Sequence, residues 1–253
     1  MTKTSFRQLV RARNRLVGTF VKTASHQTVE VLGTTGLDFI VIDAEHAPFS
    51  QNALDTCLLA ARATQLPALV RIADTEPATI LQALDMGATG LLVPHAKTVA
   101  GIHAVLACTQ YRRGSRGFSN SSRAGQYGTT PMLQLVDSSD QEVAVVFQIE
   151  DREAVEAIET LAAMEEVDGF LIGRADLAMS YGVFDPAHPE VYAAAVLVCK
   201  ACAAANKPVG MFLADASELE HWVQLGVSLF VMGSDQALLR AQANAMASKV
   251  RSA

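Results

Sequence analysis

Eight short runs rich in Val, Ile, Leu and Phe recur along the chain, at 17–23, 38–44, 67–72, 90–95, 143–150, 167–173, 207–214 and 228–235. They show little strict alternation of apolar and polar positions, which is how strands buried on both faces of a parallel sheet read. Ala- and Leu-rich stretches with helical spacing lie between them, at 52–64, 77–85, 99–110, 152–165 and 189–205, several closing on a glycine such as Gly87 or Gly226. Eight strands alternating with helices in about 250 residues predict an α/β protein built as a single (β/α)8 barrel over 1–253. A doubly wound open sheet is the alternative, but no glycine-rich dinucleotide fingerprint follows the first run.

One stretch breaks the rhythm. About thirty residues, 111–141, separate helix from strand where a handful is usual, with a short helix predicted at 131–140. A long ordered loop in a compact protein is commonly functional or packs against a neighbouring subunit. Beyond Gln236 the pattern predicts one terminal helix.

Composition adds limits. The chain has 253 residues, half of them apolar and 18% charged, enough to bury a large core without disulfides. A net charge of −6 argues against a nucleic-acid partner, and the basic cluster Arg112, Arg113, Arg116 and Arg123 reads as a solvated loop or a few anion contacts. No apolar run reaches membrane-spanning length, and the start, Met1-Thr2-Lys3-Thr4-Ser5-Phe6-Arg7, does not read as a secretory leader. Cytoplasmic placement with four reduced thiols is the expectation. Cys199-Lys200-Ala201-Cys202 has no second thiol pair and reads as helix packing.

Barrels carry their chemistry at the carboxyl ends of the strands. There the sequence places Asp43-Ala44-Glu45-His46, Arg71, His95, Gln148-Ile149-Glu150 and Gly173-Arg174-Ala175-Asp176. Glu150 and Asp176 at neighbouring strand ends repel unless a cation lies between them, and hard oxygen donors suit Mg²⁺ or Mn²⁺. By itself that pair reads equally as a salt-bridge network. Arg71 suits a carboxylate or a developing enolate oxygen, or else is a structural partner of Asp43 or Glu45. His46 is the candidate general base and His95 a weaker candidate that lines or supports the pocket. A Schiff base would need a lysine at a strand end. Lys22 and Lys207 show no reactive neighbours in the sequence, which disfavours that route.

These segments resemble the HpcH/HpaI aldolase family. The resemblance is carried by Phe39-Ile40-Val41-Ile42-Asp43-Ala44-Glu45-His46-Ala47-Pro48, Leu92-Val93-Pro94, Gln148-Ile149-Glu150 and Gly173-Arg174-Ala175-Asp176-Leu177, in order and at matching spacing over nearly the whole chain. It implies a phosphoenolpyruvate/pyruvate-type barrel whose last helix is exchanged between subunits of a homohexamer, as a trimer of dimers. It implies Mg²⁺, Mn²⁺ or Co²⁺ on Glu150 and Asp176, with Gln148, Ala175, Asp176 and Arg71 on the pyruvyl group. His46 would be the acid/base and Asp85 the residue that raises its basicity. The implied reaction is reversible retro-aldol cleavage of a 4-hydroxy-2-oxo acid to pyruvate and an aldehyde. An oxaloacetate decarboxylase or related C–C lyase would use the same enolate-stabilising groups, and a non-catalytic binding protein would lack some of them. The chain departs from the family pattern twice: Arg174 stands where Pro is usual, and Phe49-Ser50 where Asn and Asp are.

Overall fold

Strands β1 (Leu16–Val21), β2 (Phe39–Asp43), β3 (Ala68–Arg71), β4 (Gly90–Val93), β5 (Ala144–Ile149), β6 (Gly169–Ile172), β7 (Val209–Leu213) and β8 (Leu229–Ser234) close into a parallel barrel in sequence order. The coordinates are a computed structural model that describes residues 4–253. Met1–Lys3, part of the start that does not read as a secretory leader, lie outside the described residues. All eight predicted strands form, so the barrel prevails over the open sheet. Among the described residues no helix is long and apolar enough to cross a membrane.

The predicted helices form as α3 (Gln51–Ala63), α4 (Pro77–Asp85), α5 (Val99–Thr109) and α10 (Pro189–Ala204). The stretch expected as one helix at 152–165 is two short ones, α7 (Arg152–Glu156) and α8 (Ile158–Ala162), separated at Ala157, whose ψ of 2° departs from the helix. Met132–Glu142 forms α6 and Asp235–Arg251 forms α12, which Ser234 caps by accepting the Ala237 N–H. The sequence pattern missed α1 (Phe6–Arg11), α2 (His26–Gly33), α9 (Arg174–Ser180) and α11 (Leu219–Gln224). With six to eight residues, these helices are too short to display a periodic stripe.

Strand side chains separate by parity into two apolar layers. Leu16, Phe20, Phe39, Val41, Leu69, Leu92, Ala144, Val146, Leu171, Leu229 and Val231 fill the barrel interior, and α1 closes its lower end with Phe6 and Val10. Ile40, Ile42, Val70, Val93, Phe147 and Ile172 face the helix ring. Both faces are therefore buried, which explains the missing alternation. Gly18 is required inside: a Cβ there would lie 2.7 Å from the Phe39 carbonyl oxygen and 2.8 Å from its ring. At the bottom, buried Asp168 accepts from Arg7 and Arg11 of α1 and from the Val145 N–H, tying the plug to the barrel.

The long segment does not reach over the barrel mouth. Its arginines fold back onto the helix ring: Arg116 donates to Asp85 at 2.9 Å, and Arg123 donates to the Asp55 carboxylate and to the carbonyls of Asp55 and Met86. Both arginines are buried, so the expected solvated basic loop is corrected to a strapped one. Cys199 and Cys202 are buried in α10, where burial pushes each thiol up to about 12.

Candidate active site

The inward parity that builds the core continues upward into chemistry. Phe39 and Val41 point into the barrel, so Asp43 does too; Leu69 is followed by Arg71, Ala144 and Val146 by Gln148, and Leu16 and Phe20 by Lys22. Asp43 and Arg71 are also Cα partners across β2 and β3. Register thus sets a fully buried bidentate pair, Arg71 Nε to Asp43 Oδ1 at 2.9 Å and Nη2 to Oδ2 at 2.7 Å. Lys22 Nζ lies 3.2 Å from Asp43 Oδ2, and the His46 backbone N–H donates to Oδ1 at 3.1 Å. Burial acts to raise the Asp43 pKa. The hydrogen bond and charge of Arg71, then the His46 N–H and Lys22, outweigh it and hold the carboxyl below its ordinary value.

These residues border a cavity of about 330 Å³ at the carboxyl ends of the strands, lined in part by His46, Arg71, Gln148, Arg174, Ala175 and Asp176. Five of the sequence-chosen site residues therefore meet in one place: His46, Arg71, Gln148, Ala175 and Asp176. Arg71 lies over the Phe20 ring at 4.6 Å, and its Nε is 3.3 Å from Glu45 Oε2. The reading of Arg71 as a structural partner of Asp43 or Glu45 therefore holds, since it is the principal partner of Asp43. Lys22 also lines the cavity, so the expectation that it stands away from reactive groups is corrected. Lys207 is elsewhere, donating to the carbonyls of Met164 and Val167.

Glu150 stands buried behind Gln148. Its Oε1 accepts the His95 N–H at 2.8 Å and its Oε2 accepts from Gln148 Nε2. Burial first, then the charges of Asp176 and Glu45, push its pKa up to about 7, against the His95 N–H and ring. A larger cavity, of about 400 Å³, lies among Arg7, Arg11, Arg112 and Arg113 with Asp137, Asp140, Glu165 and Glu166. It belongs to the α1 plug at the opposite end, away from the strand-end residues.

Two observations test whether the strand ends fit a cation. Gln148 Oε1 is buried and accepts no hydrogen bond, and Gly173 leaves a cradle: a Cβ there would meet Gln148 Nε2 at 2.7 Å and Glu150 Oε2 at 3.1 Å. A buried, under-compensated carboxylate with Asp176 beside it and an orphan amide oxygen form a hard-oxygen donor set. The residues fit a small divalent ion. His95, Glu150 and Asp151 also bring ligand atoms within 4.8 Å of one another. There, however, Asp151 is committed to His95 Nδ1 at 2.9 Å and Lys97 Nζ at 2.9 Å, so that group is an ion-pair cluster. Burial works against the His95 imidazolium. The Asp151 hydrogen bond and the surrounding carboxylates outweigh it and hold the His95 pKa above its ordinary value.

Around His46, whose side chain is 52% exposed, the nearest carboxylate is Glu45, with Oε2 3.6 Å from Nε2. Asp85 is bound instead by Arg116, and no His46–Asp85 hydrogen bond occurs among the described residues. Sequence reasoning missed Lys22 and the pairing of Arg174 with Glu218. Inward parity with Phe20 was the available signal for Lys22; nothing along the chain pointed to Glu218.

The family model for HpcH/HpaI aldolase/citrate lyase matches residues 16–241. A 5-keto-4-deoxy-D-glucarate aldolase of Salmonella paratyphi A is 31% identical over 244 residues, 96% of this chain and 94% of that protein. A crystal structure of a family protein from Burkholderia cenocepacia superposes with a TM-score of 0.92 at 31% identity, covering 98% of this chain and 100% of that one. An HpcH/HpaI aldolase from Desulfitobacterium hafniense gives 0.91 at 24% identity over 98% and 97% of the two chains, a likeness of fold.

Proposed function

Because the chain belongs to the HpcH/HpaI aldolase/citrate lyase family and is a carbon–carbon lyase, we propose that it cleaves a 4-hydroxy-2-oxo acid reversibly to pyruvate and an aldehyde. The observation that carries the reading is the meeting of Arg71, His46, Gln148 and Asp176 in one strand-end cavity with Glu150 buried behind it. The aldolase relatives, named for a sugar-acid substrate, support an oxo acid of that class.

Glu150 and Asp176 would hold a divalent cation, Mg²⁺, Mn²⁺ or Co²⁺, whose Lewis acidity polarises the 2-oxo group of the substrate. Gln148 and the backbone at Ala175 seat the pyruvyl group. His46 takes the proton of the C4 hydroxyl. The C3–C4 bond breaks, its electron pair passes into the enolate of pyruvate, and C4 leaves as the aldehyde carbon. A proton delivered to C3 then completes the pyruvate methyl group. Arg71 spends Nε–H and one Nη2–H on Asp43, which leaves its remaining donors for the oxygen on which charge develops. Because Asp43 fixes that guanidinium before substrate arrives, little reorganisation accompanies the reaction.

Within one chain Glu45 is the carboxylate beside the His46 ring, and Asp85 is held by Arg116. Asp85 would raise the basicity of His46 only across an interface, from a second copy. A homohexamer with α12 exchanged between subunits supplies such an interface, and the open apolar side of α12 supports it: Leu239 is 74% and Val250 77% exposed.

The test is proton exchange. Chelator-stripped protein reloaded with Mg²⁺, Mn²⁺ or Co²⁺ and given pyruvate in D₂O should exchange the methyl protons, seen by NMR. No exchange with any of the three ions would rule the reading out.

A further inference from the structure

The cavity lining contains three cations, Lys22, Arg71 and Arg174, against one acid, Asp176. Two of the three are committed to the same interior carboxylate: Arg71 and Lys22 both bind Asp43, which is wholly buried. Arg174 differs. It is the first residue of α9, two positions before Asp176, and comes off β6, three strands around the barrel from Arg71 on β3. Its counter-ion, Glu218, is not among the lining residues but arrives from the start of α11, outside the cavity. Arg174 donates Nη1 to Glu218 Oε1 at 3.1 Å and Nη2 to Oε2 at 2.5 Å.

The two partners are held unequally. The Arg174 side chain is 13% exposed, with its guanidinium 5.4 Å from the centroid of the fully buried Trp222 ring. Glu218 is 44% exposed and belongs to a segment that turns at the surface. The cation is therefore pre-positioned by packing, while its carboxylate can return to water at little cost. An ion pair with one partner this exposed is weak, so a ligand can compete for the guanidinium. The geometry also shows what Arg174 accepts: two donors spread over two oxygens, the fork that matches a carboxylate.

We propose that Arg174 is the specificity-determining residue for the aldehyde half of the substrate, binding an acid group carried at its far end, with Glu218 occupying that position until substrate displaces it. The inference rests on the aldolase reading above and adds to it the residue that reads the far acid group: with a diacid such as the glucarate for which the relatives are named, the 2-oxo acid end lies toward Arg71 and Gln148 and the distal carboxylate toward Arg174. A pocket of about 330 Å³ is at the small end of ligand sites and suits such a short, doubly charged chain. Neutral aldehydes leave the Arg174–Glu218 pair closed and gain nothing from it.

The test compares 4-oxobutanoate with butanal, which replaces the distal carboxylate by a methyl group, as acceptors for pyruvate in the condensation direction. The metal-loaded full chain is used, and kcat/KM is measured for each aldehyde. Wild-type protein should prefer 4-oxobutanoate. Arg174→Ala should lower the ratio of the two kcat/KM values by about 10- to 100-fold, mainly through KM for 4-oxobutanoate, and Arg174→Lys should recover part of it. The ratio is taken within one sample, so a partly unfolded variant still reports it. Glu218→Gln should lower KM for 4-oxobutanoate, because the competitor is weakened while the cation stays. A ratio in Arg174→Ala within about twofold of wild type, or a loss shared equally by both aldehydes, overturns the inference. An unchanged KM in Glu218→Gln also counts against it. Methyl-proton exchange of pyruvate by wild-type protein without any aldehyde separates the two levels. Exchange without a charge preference overturns the Arg174 assignment alone, whereas no exchange overturns the aldolase reading and this assignment with it.

Discussion

Arg71→Ala should unsettle the barrel as well as the chemistry. Asp43 is wholly buried, and in the variant it loses both bonds of its bidentate partner, at 2.9 and 2.7 Å. What remains is Lys22 Nζ at 3.2 Å and the His46 N–H at 3.1 Å. Breaking a buried pair by removing one member costs about 3–5 kcal/mol, and the surviving contacts place this case near 3 kcal/mol. For a chain of this size that corresponds to a fall in Tm of roughly 6–12 °C. The pH dependence identifies the cause. In the wild type the folded Asp43 pKa lies below its ordinary 3.8, so the stabilisation from the pair is present above that value and is lost as pH falls through the lower folded pKa. In the variant burial is no longer outweighed by the guanidinium, Asp43 takes up a proton more readily, and the penalty relaxes on acidification. Urea unfolding of both proteins between pH 4 and 8 should therefore show a gap that is widest near neutrality and narrows toward pH 4. Arg71→Met combined with Asp43→Asn should regain much of the stability and still fail to exchange the pyruvate methyl protons. A loss below about 1 kcal/mol at pH 7, or a gap that does not change with pH, would refute the assignment of a buried charge pair.

Other outcomes follow from the same geometry. With Glu150 pushed up to about 7 by burial, a proton competes with the cation below that pH; Mn²⁺ affinity, followed by the paramagnetic resonance of the free ion, should be about tenfold tighter at pH 8 than at pH 6, and equal affinities would contradict it. Gly173→Ala places a Cβ 2.7 Å from Gln148 Nε2, so Mn²⁺ binding should weaken while far-UV circular dichroism stays unchanged. His46→Ala removes a half-exposed side chain and should shift stability by no more than about 0.5 kcal/mol while lowering turnover by about 10²–10⁴; wild-type turnover would remove His46 from the mechanism. Asp168→Ala removes the shared acceptor of Arg7, Arg11 and the Val145 N–H, at about 3 kcal/mol in urea, and should expose the α1 segment to proteolysis; unchanged protection would show that the plug is held by Phe6, Val10 and the carbonyl contacts of the two arginines.

The eight strands were legible because a parallel barrel buries both faces of every strand, and a run such as Phe39-Ile40-Val41-Ile42 then has no polar position to interrupt it. The polar cluster at the strand ends was legible for a related reason: in a chain half apolar, a charge that ends such a run must have a partner. Asp43, Arg71, Gln148 and Glu150 all lie at the ends of buried runs, and their inward parity is countable from Val41, Leu69 and Val146. Lys22 follows Phe20 by the same count, yet its company depends on strand register, which only the closed sheet sets.

What tertiary structure alone decided lies between elements distant in sequence. Arg116 and Arg123 read as a solvated basic cluster, but Asp85 and Asp55, far behind them in the chain, draw both into the helix ring. Along the chain Arg174 stood out only as a departure from the family motif; the fold supplied Glu218, 44 residues on, and with it the fork geometry that makes a carboxylate its natural ligand. Local sequence determines which residues are buried and which way they point, because strand parity and burial are short-range. Which charge meets which depends on the closure of the barrel, and that contact information is long-range.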